Sequence, residues 1–132
     1  MTNRVWAFSR MDADATLANL VGERIHQSTS IDKTPSTKPF IMYRQTSDVQ
    51  LMRGDDGDAC RRLGYMIFAH DVPGDYMQID SILEALRALF ADIVDQPNGI
   101  IRSTWLETSD DLRDEDMGTI VKYARIEVTY RV

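Results

Sequence analysis

Cysteine is almost absent: Cys60 is the only one among 132 residues. A single thiol closes no internal disulfide and builds no multi-cysteine zinc site, so a reducing compartment is the simplest setting. Long apolar runs are missing as well. The mid-chain stretch free of charge and histidine, residues 63–69, falls far short of the roughly 20 apolar residues that span a bilayer, and no membrane partner is expected. Residues 1–10 hold two basic side chains and no unbroken apolar segment, with Asp12 and Asp14 following at once; this does not read as a secretory leader. Basic charge is in deficit. Fifteen Lys and Arg against 21 Asp and Glu leave a net charge of −6, a balance that repels nucleic-acid phosphates and argues against sequence-reading of DNA.

Catalytic patterns are also lacking. The chain contains no Gly-x-x-x-x-Gly-Lys, Gly-x-Gly-x-x-Gly or Gly-x-Ser-x-Gly segment, which removes the strongest supports for nucleotide-binding and hydrolase readings. Its two histidines, His26 and His70, stand without a His-Glu-x-x-His spacing and read as ordinary packed or surface residues. Cys60 lies beside Arg61 and Arg62; on a strand only Arg62 shares its side, which is thin support for an activated thiol. The densest acidic cluster, Glu107, Asp110, Asp111, Asp114, Glu115 and Asp116, offers oxygen ligands to a hard cation. It lacks the alternating ligands and sixth-position glycine of an EF-hand, so a solvated loop is the simpler reading. No catalytic residue, metal ligand or cofactor is assigned, and the chain is not expected to be an enzyme.

What remains is a balanced globular composition, 43% hydrophobic and 27% charged, at a length that fits one domain over residues 1–132. Leu17, Leu20, Val21 and Arg24 fall at helical spacing within residues 12–24, with Asp12 and Asp14 placed to cap the start. Residues 27–38 turn to Ser, Thr, Lys and Pro and read as a loop. Residues 40–46 and 62–70 are rich in aromatic and apolar side chains and flank Gly54-Asp55-Asp56-Gly57-Asp58, which predicts an antiparallel hairpin. Arms of about 12 residues would reach roughly 40 Å at ~3.3 Å per residue. A radius of gyration near 14 Å is expected for the whole domain, so the tip should overhang it.

Asp75 and Gln78 imitate a capping box ahead of Ile79, Ile82, Leu83, Leu86, Leu89, Phe90 and Ile93, which predicts the main core helix. Residues 95–99 end it with turn chemistry, and residues 100–107 read as a strand before the acidic loop. In the last segment Ala124, Ile126, Val128, Tyr130 and Val132 alternate with Arg125, Glu127, Thr129 and Arg131, a strand with one packed and one wet face. The expected fold is α+β: a four-stranded antiparallel sheet with two helices packed on one face and a long protruding β-hairpin. Trp6 and Phe8 lie outside both predicted helices and mark residues 1–11 as a possible N-terminal docking arm.

Taken together, Thr16-Leu17-Ala18-Asn19-Leu20-Val21-Gly22, Lys38-Pro39-Phe40-Ile41-Met42-Tyr43-Arg44-Gln45, Gly64-Tyr65-Met66-Ile67-Phe68-Ala69-His70 and Asp80-Ser81-Ile82-Leu83-Glu84-Ala85-Leu86, closing on an alternating strand, resemble the tail terminator (tail completion) proteins of long-tailed bacteriophages. The resemblance covers most of the chain and rests on element order and local texture. It implies a structural virion protein, assembled in the host cytoplasm and carried at the head–tail junction, that forms a hexameric ring of itself. Its partners would be the tail tube protein and the head connector or stopper, with DNA only as passing cargo. The resemblance implies that the hairpin tip, Arg53, Gly54, Asp55, Asp56, Gly57 and Asp58, reaches a neighbouring subunit or the tube. Likewise Asp110, Asp111, Asp114, Glu115 and Asp116 would line the channel or meet the connector. Six copies of net charge −6 would repel passing DNA if enough acid faced inward. The rival expectations are another connector component, an adaptor or stopper, and a small cytosolic domain that binds a metal or ligand.

Overall fold

A computed structural model describes residues 3–27, 37–54 and 57–132. Its helices are α1 (Asn3–Ala13), α2 (Ala15–Val21) and α3 (Met77–Phe90). Its strands are β1 (Ile25–Gln27), β2 (Phe40–Gly54), β3 (Gly57–Asp71), β4 (Ile93–Asp95), β5 (Ile100–Thr108), β6 (Leu112–Asp114) and β7 (Thr119–Arg131). They form one sheet in the order β1-β2-β3-β7-β5-β4, with β6 also on β7. The α+β class stands, and the four long strands β2, β3, β7 and β5 are contiguous and antiparallel. The expectation of only four strands is corrected: three strands of three residues join them, and β1 runs parallel to β2. Three residues are too few to display a two-residue period.

Three helices replace the expected two. Residues 12–24 do not form one helix: α1 ends at Ala13, and the Asp14 carboxylate accepts the Leu17 N–H at 2.9 Å to open α2, as an N-cap acid should. Gly22, at φ +60, closes α2 in a conformation that a Cβ disfavours. The N-terminal segment, expected to lie outside both helices, is therefore helix. Trp6 is 2% exposed, edge-on to Phe90 at 6.0 Å, and its indole N–H donates to Asp95 at 2.7 Å. Phe8 is half-buried beside Tyr43, ring centroids 6.4 Å apart.

Helix α3 begins one residue later than a capping box on Asp75 would place it. Tyr76 is its N-cap, and the Asp75 carboxylate accepts the Met77 N–H. The helix buries Ile79, Ile82, Leu83, Leu86 and Phe90 against one face of the sheet, formed by Ile41, Tyr43, Leu63, Tyr65, Ile67, Ala69, Ala124, Ile126 and Val128. Each large apolar side chain, fully buried, contributes about 1.5–3 kcal/mol. Residues of α1 and α2, including Trp6, Met11, Leu17 and Val21, complete the same core. The stripe does not continue to Ile93, because the chain leaves the helix after Phe90. Asp92 takes φ +53, and Ile93 opens β4.

The hairpin arms, β2 and β3, are 15 residues each, about 50 Å at ~3.3 Å per residue. They do not stand free of the sheet. β7 accompanies β3 as far as Cys60 opposite Arg131, and the Val132 N–H reaches the Ala59 carbonyl at 3.2 Å. What projects is the tip and the outer edge of β2. Of the expected tip residues, Arg53 pairs with Asp58 and Gly54 with Gly57; Asp55 and Asp56 lie outside the described residues. Among the described residues no helix is long and apolar enough to cross a membrane.

Candidate assembly surfaces

Three surfaces stand out. The first is the outer edge of β2. β1 covers that edge only at Ile41, Met42 and Tyr43, so beyond them no strand of the described residues pairs with it. Residues 46–51 are all exposed, including Val49 and Leu51, and a register shift falls between Gln50 and Met52. An exposed edge carrying apolar side chains is a template for another strand. Arg61 braces this half of the hairpin across the strands, donating to Asp48 at 2.9 Å, which holds its guanidinium pKa above the ordinary value.

The second surface lies on the sheet face that carries no helix. The segment expected as an acidic loop is here a hairpin: Leu112, Arg113 and Asp114 pair with Val121, Ile120 and Thr119. The Asp114 carboxylate accepts the Met117 N–H at 3.0 Å, an Asx-type contact that sets the turn, and Gly118 takes φ +63. A cavity of about 490 Å³ is lined by Met42, Phe68 and Val121 of the long strands together with Asp114, Glu115 and Asp116 of this hairpin. On the opposite, helix-bearing side, Asp111 reaches Lys122 at 3.6 Å, and Lys122 donates to Asp80 of α3 at 2.9 Å, which raises the lysine pKa. Asp110, Asp111, Glu115 and Asp116 are exposed. No group of three His, Cys, Asp or Glu side chains able to hold a metal occurs among the described residues.

His70 closes the end of this cavity as a packed side chain. It is 3% exposed, stacked on Phe40 at 4.8 Å, and its Nδ1 lies 2.8 Å from the Thr119 hydroxyl. Desolvation lowers its pKa to about 4, with Asp114 pulling weakly the other way. Burial of a cationic ring without a close carboxylate favours the neutral form. His26 meets Phe40 edge-on at 6.4 Å. Cys60 is half-buried on β3, on the face shared by Arg62.

The third surface is the N-terminal helix and its support. The Asp95 carboxylate is held below the usual range by hydrogen bonds from Asn98 and Trp6. Arg10 donates to the Leu89 carbonyl at 3.0 Å and lies over the Trp6 ring at 5.4 Å. These contacts engage Trp6 inside the chain. They leave it little exposed surface, 2%, whereas Phe8 is half-buried.

One set of residues escapes the sequence reading. Strand register places Arg44, Arg62, Arg102, Arg125 and Arg131 on the same helix-free face, with Glu107 and Glu127 between them. The alternation within β7 announces Arg125 and Arg131. The other three need the pairing of four strands to be known.

The architecture defines an α+β domain: a mixed sheet with three helices on one face and a short acidic hairpin that continues the sheet along β7 beyond β5. A chain of the virion of a native gene transfer agent particle has this fold, with a TM-score of 0.73 and 15% identity, over 96% of this chain and 92% of the other. The bacteriophage SPP1 gp17 protein aligns with a TM-score of 0.47 and 14% identity over 98% and 87%. No protein family and no curated protein matches the sequence.

Proposed function

We propose that this chain is a structural subunit of a phage-like virion, a tail terminator whose copies form a sixfold ring that ends the tail tube and meets the head connector. The observation that carries the reading is the fold shared with a virion chain over nearly the full length of both. It agrees with the element-by-element resemblance read from the sequence. The outer edge of β2 supports assembly, because beyond Tyr43 no strand of the described residues pairs with it, and an edge with exposed Val49 and Leu51 is suited to adding a strand from a neighbour. Where the neighbour adds a different strand, the contact is head-to-tail, and such contacts close into rings when the rotation allows. The acidic hairpin, with Asp110, Asp111, Asp114, Glu115 and Asp116, is then a surface for the connector or the channel. The role is assembly and not catalysis.

Electron microscopy of the purified protein, with its mass in solution, tests the reading. Sixfold rings that bind the open ends of tail tubes are expected. A protein that stays monomeric at high concentration and ignores tail tubes would falsify it.

A further inference from the structure

We propose that the two edges of the sheet are the halves of one joint between copies of this chain, in which β4 of one copy adds to the outer half of β2 in the next. The joint rests on the ring proposed above and gives the outer edge of β2 its partner strand. The strands β2, β3, β7 and β5 alternate in direction, and β4 is antiparallel to β5, so β4 points the same way as β2. Among the described residues β4 ends the row. Repeating the chain about an axis along the strands brings the β4 edge of one copy to the β2 edge of its neighbour. The new pair is then parallel, as β1 already is to β2.

Register sets the two edges at the same height. Val49 lies opposite Arg62, Arg62 opposite Thr129 and Thr129 opposite Arg102, and Val94 stands across from that point, between the pairs Ile93 with Ser103 and Asp95 with Ile100. The neighbouring rows put Asp48 level with Ile93 and Gln50 level with Asp95. No like charges meet in these rows. Asp48 and Asp92, acids beside the joint, are each held by an arginine, Arg61 and Arg102. Val49 and Val94 also share a face. Val49 points away from the helices, because Asp48 beside it lies opposite the core residue Leu63, and Val94 does so because Ile93 before it packs on the core. Both valines are exposed, as are Leu51 and Ile101 next to them. Pairing at this height brings these side chains together and removes their apolar area from water.

The ends of the two edges are stepped to match. β1 covers β2 only at Ile41, Met42 and Tyr43, and Tyr43 is level with Thr108 through Ile67 and Ala124. β4 covers β5 at its other end, by Ile100 and Ser103, and no strand of the described residues pairs with the outer edge of residues 104–108. A neighbour's β4 thus meets β2 where β1 does not lie, while β1 comes toward the end of β5 that β4 leaves bare. The two short strands fill opposite ends of one gap. Pairing of two β2 edges about a twofold axis would leave Val94 and Ile101 uncovered.

The test is cysteine pairing in the full chain, with Cys60→Ser as the background. Neighbouring strands stand about 4.8 Å apart, inside the Cα separation of about 4.4–6.8 Å that a disulfide spans. Val49→Cys with Val94→Cys in one chain should give, under mild oxidation, a ladder of covalent oligomers on a non-reducing gel that ends at the closed ring. A mixture of the two single variants should stop at dimers, and each alone should give none. Glu84→Cys, exposed on α3, mixed with Val49→Cys reads random collision and should give none. A second measurement does not depend on disulfide geometry: Val49→Lys and Val94→Lys should each weaken the ring in light scattering at an unchanged urea midpoint, and Val49→Lys with Val94→Glu should restore it. Dimers from Val49→Cys alone overturn the proposal in favour of a pair of β2 edges, and a ring that Val94→Lys leaves intact overturns it too. Sixfold rings that show neither the bridge nor the rescue defeat this inference alone. A bridged ladder that never closes at six defeats the sixfold ring and leaves the joint standing.

Discussion

The two halves of β2 are one continuous strand with opposite fates. Phe40, Ile41, Met42 and Tyr43 are 0–7% exposed, with β1 on the outer edge of the last three. Residues 46–51 are exposed throughout, and no described strand lies outside them. Both halves have the same inner neighbour, β3. The difference teaches that core formation needs only the first half. The second half gains little from burial, yet keeps Val49 and Leu51 at 39% and 46% exposure, where a strand serving only its own fold would be expected to blunt its edge. That half is suited to a partner outside the chain.

The largest effect that could break the comparison lies in the first half. Phe40→Ala removes a side chain of 0% exposure from its stack on His70, and should cost about 3–5 kcal/mol of stability by urea unfolding. Val49→Ala should cost under about 0.5 kcal/mol in the same experiment. Equal costs would mean that the outer half is core after all.

Next in size is the acid response of His70. The unfolded chain takes up a proton on this histidine near its ordinary pKa of 6.5, whereas the folded chain resists until about pH 4. Between those values the unfolded state binds more protons, so stability is complete above about pH 6.5 and falls as the pH drops toward 4. The loss should total about 3 kcal/mol. His70→Gln should flatten that limb of the stability–pH curve. A limb that persists unchanged would assign the acid sensitivity to other groups.

A smaller effect sharpens where the first half begins. Arg24 donates from Nε to the Pro39 carbonyl at 2.8 Å, tying the entry of β2 to the turn after α2. Arg24→Met keeps much of the aliphatic stem and removes the bond, and should cost about 1 kcal/mol in urea unfolding. No loss would show that β1 alone anchors that end.

How much of this is legible in the sequence depends on whether the signal is local. The alternation of β7 and the stripe of α3 are readable because each exposes one face to water and buries the other within a single element. The long hairpin is readable from two apolar runs around a Gly–Asp turn. β1, β4 and β6 are not, since each depends on a neighbouring long strand to exist. The helix α1 escapes because Arg4, Ser9 and Arg10 interrupt its apolar positions; Phe90 and Asp95, remote in sequence, give Trp6 its place. The overhang of β2 follows from arm length alone. Its true extent depends on where β7 stops, opposite Cys60, and the arginine face depends on register across four strands.

The smallest effect on stability is also the one that decides what the outer half is for. Leu51 sits at a register shift between Gln50 and Met52 and is exposed, so Leu51→Lys with Val49→Ser disturbs little inside the chain and should change stability by no more than about 0.5 kcal/mol. On an open edge, a lysine is a barrier to a second strand, because pairing would bury its charge against the incoming backbone. The proposed ring should therefore weaken while circular dichroism and the urea midpoint stay put. Light scattering across a concentration series separates the two effects. An unchanged oligomer would remove the edge from the assembly and leave the exposed half of β2 without a role; a chain that unfolds instead would erase the distinction between the two halves from the other side.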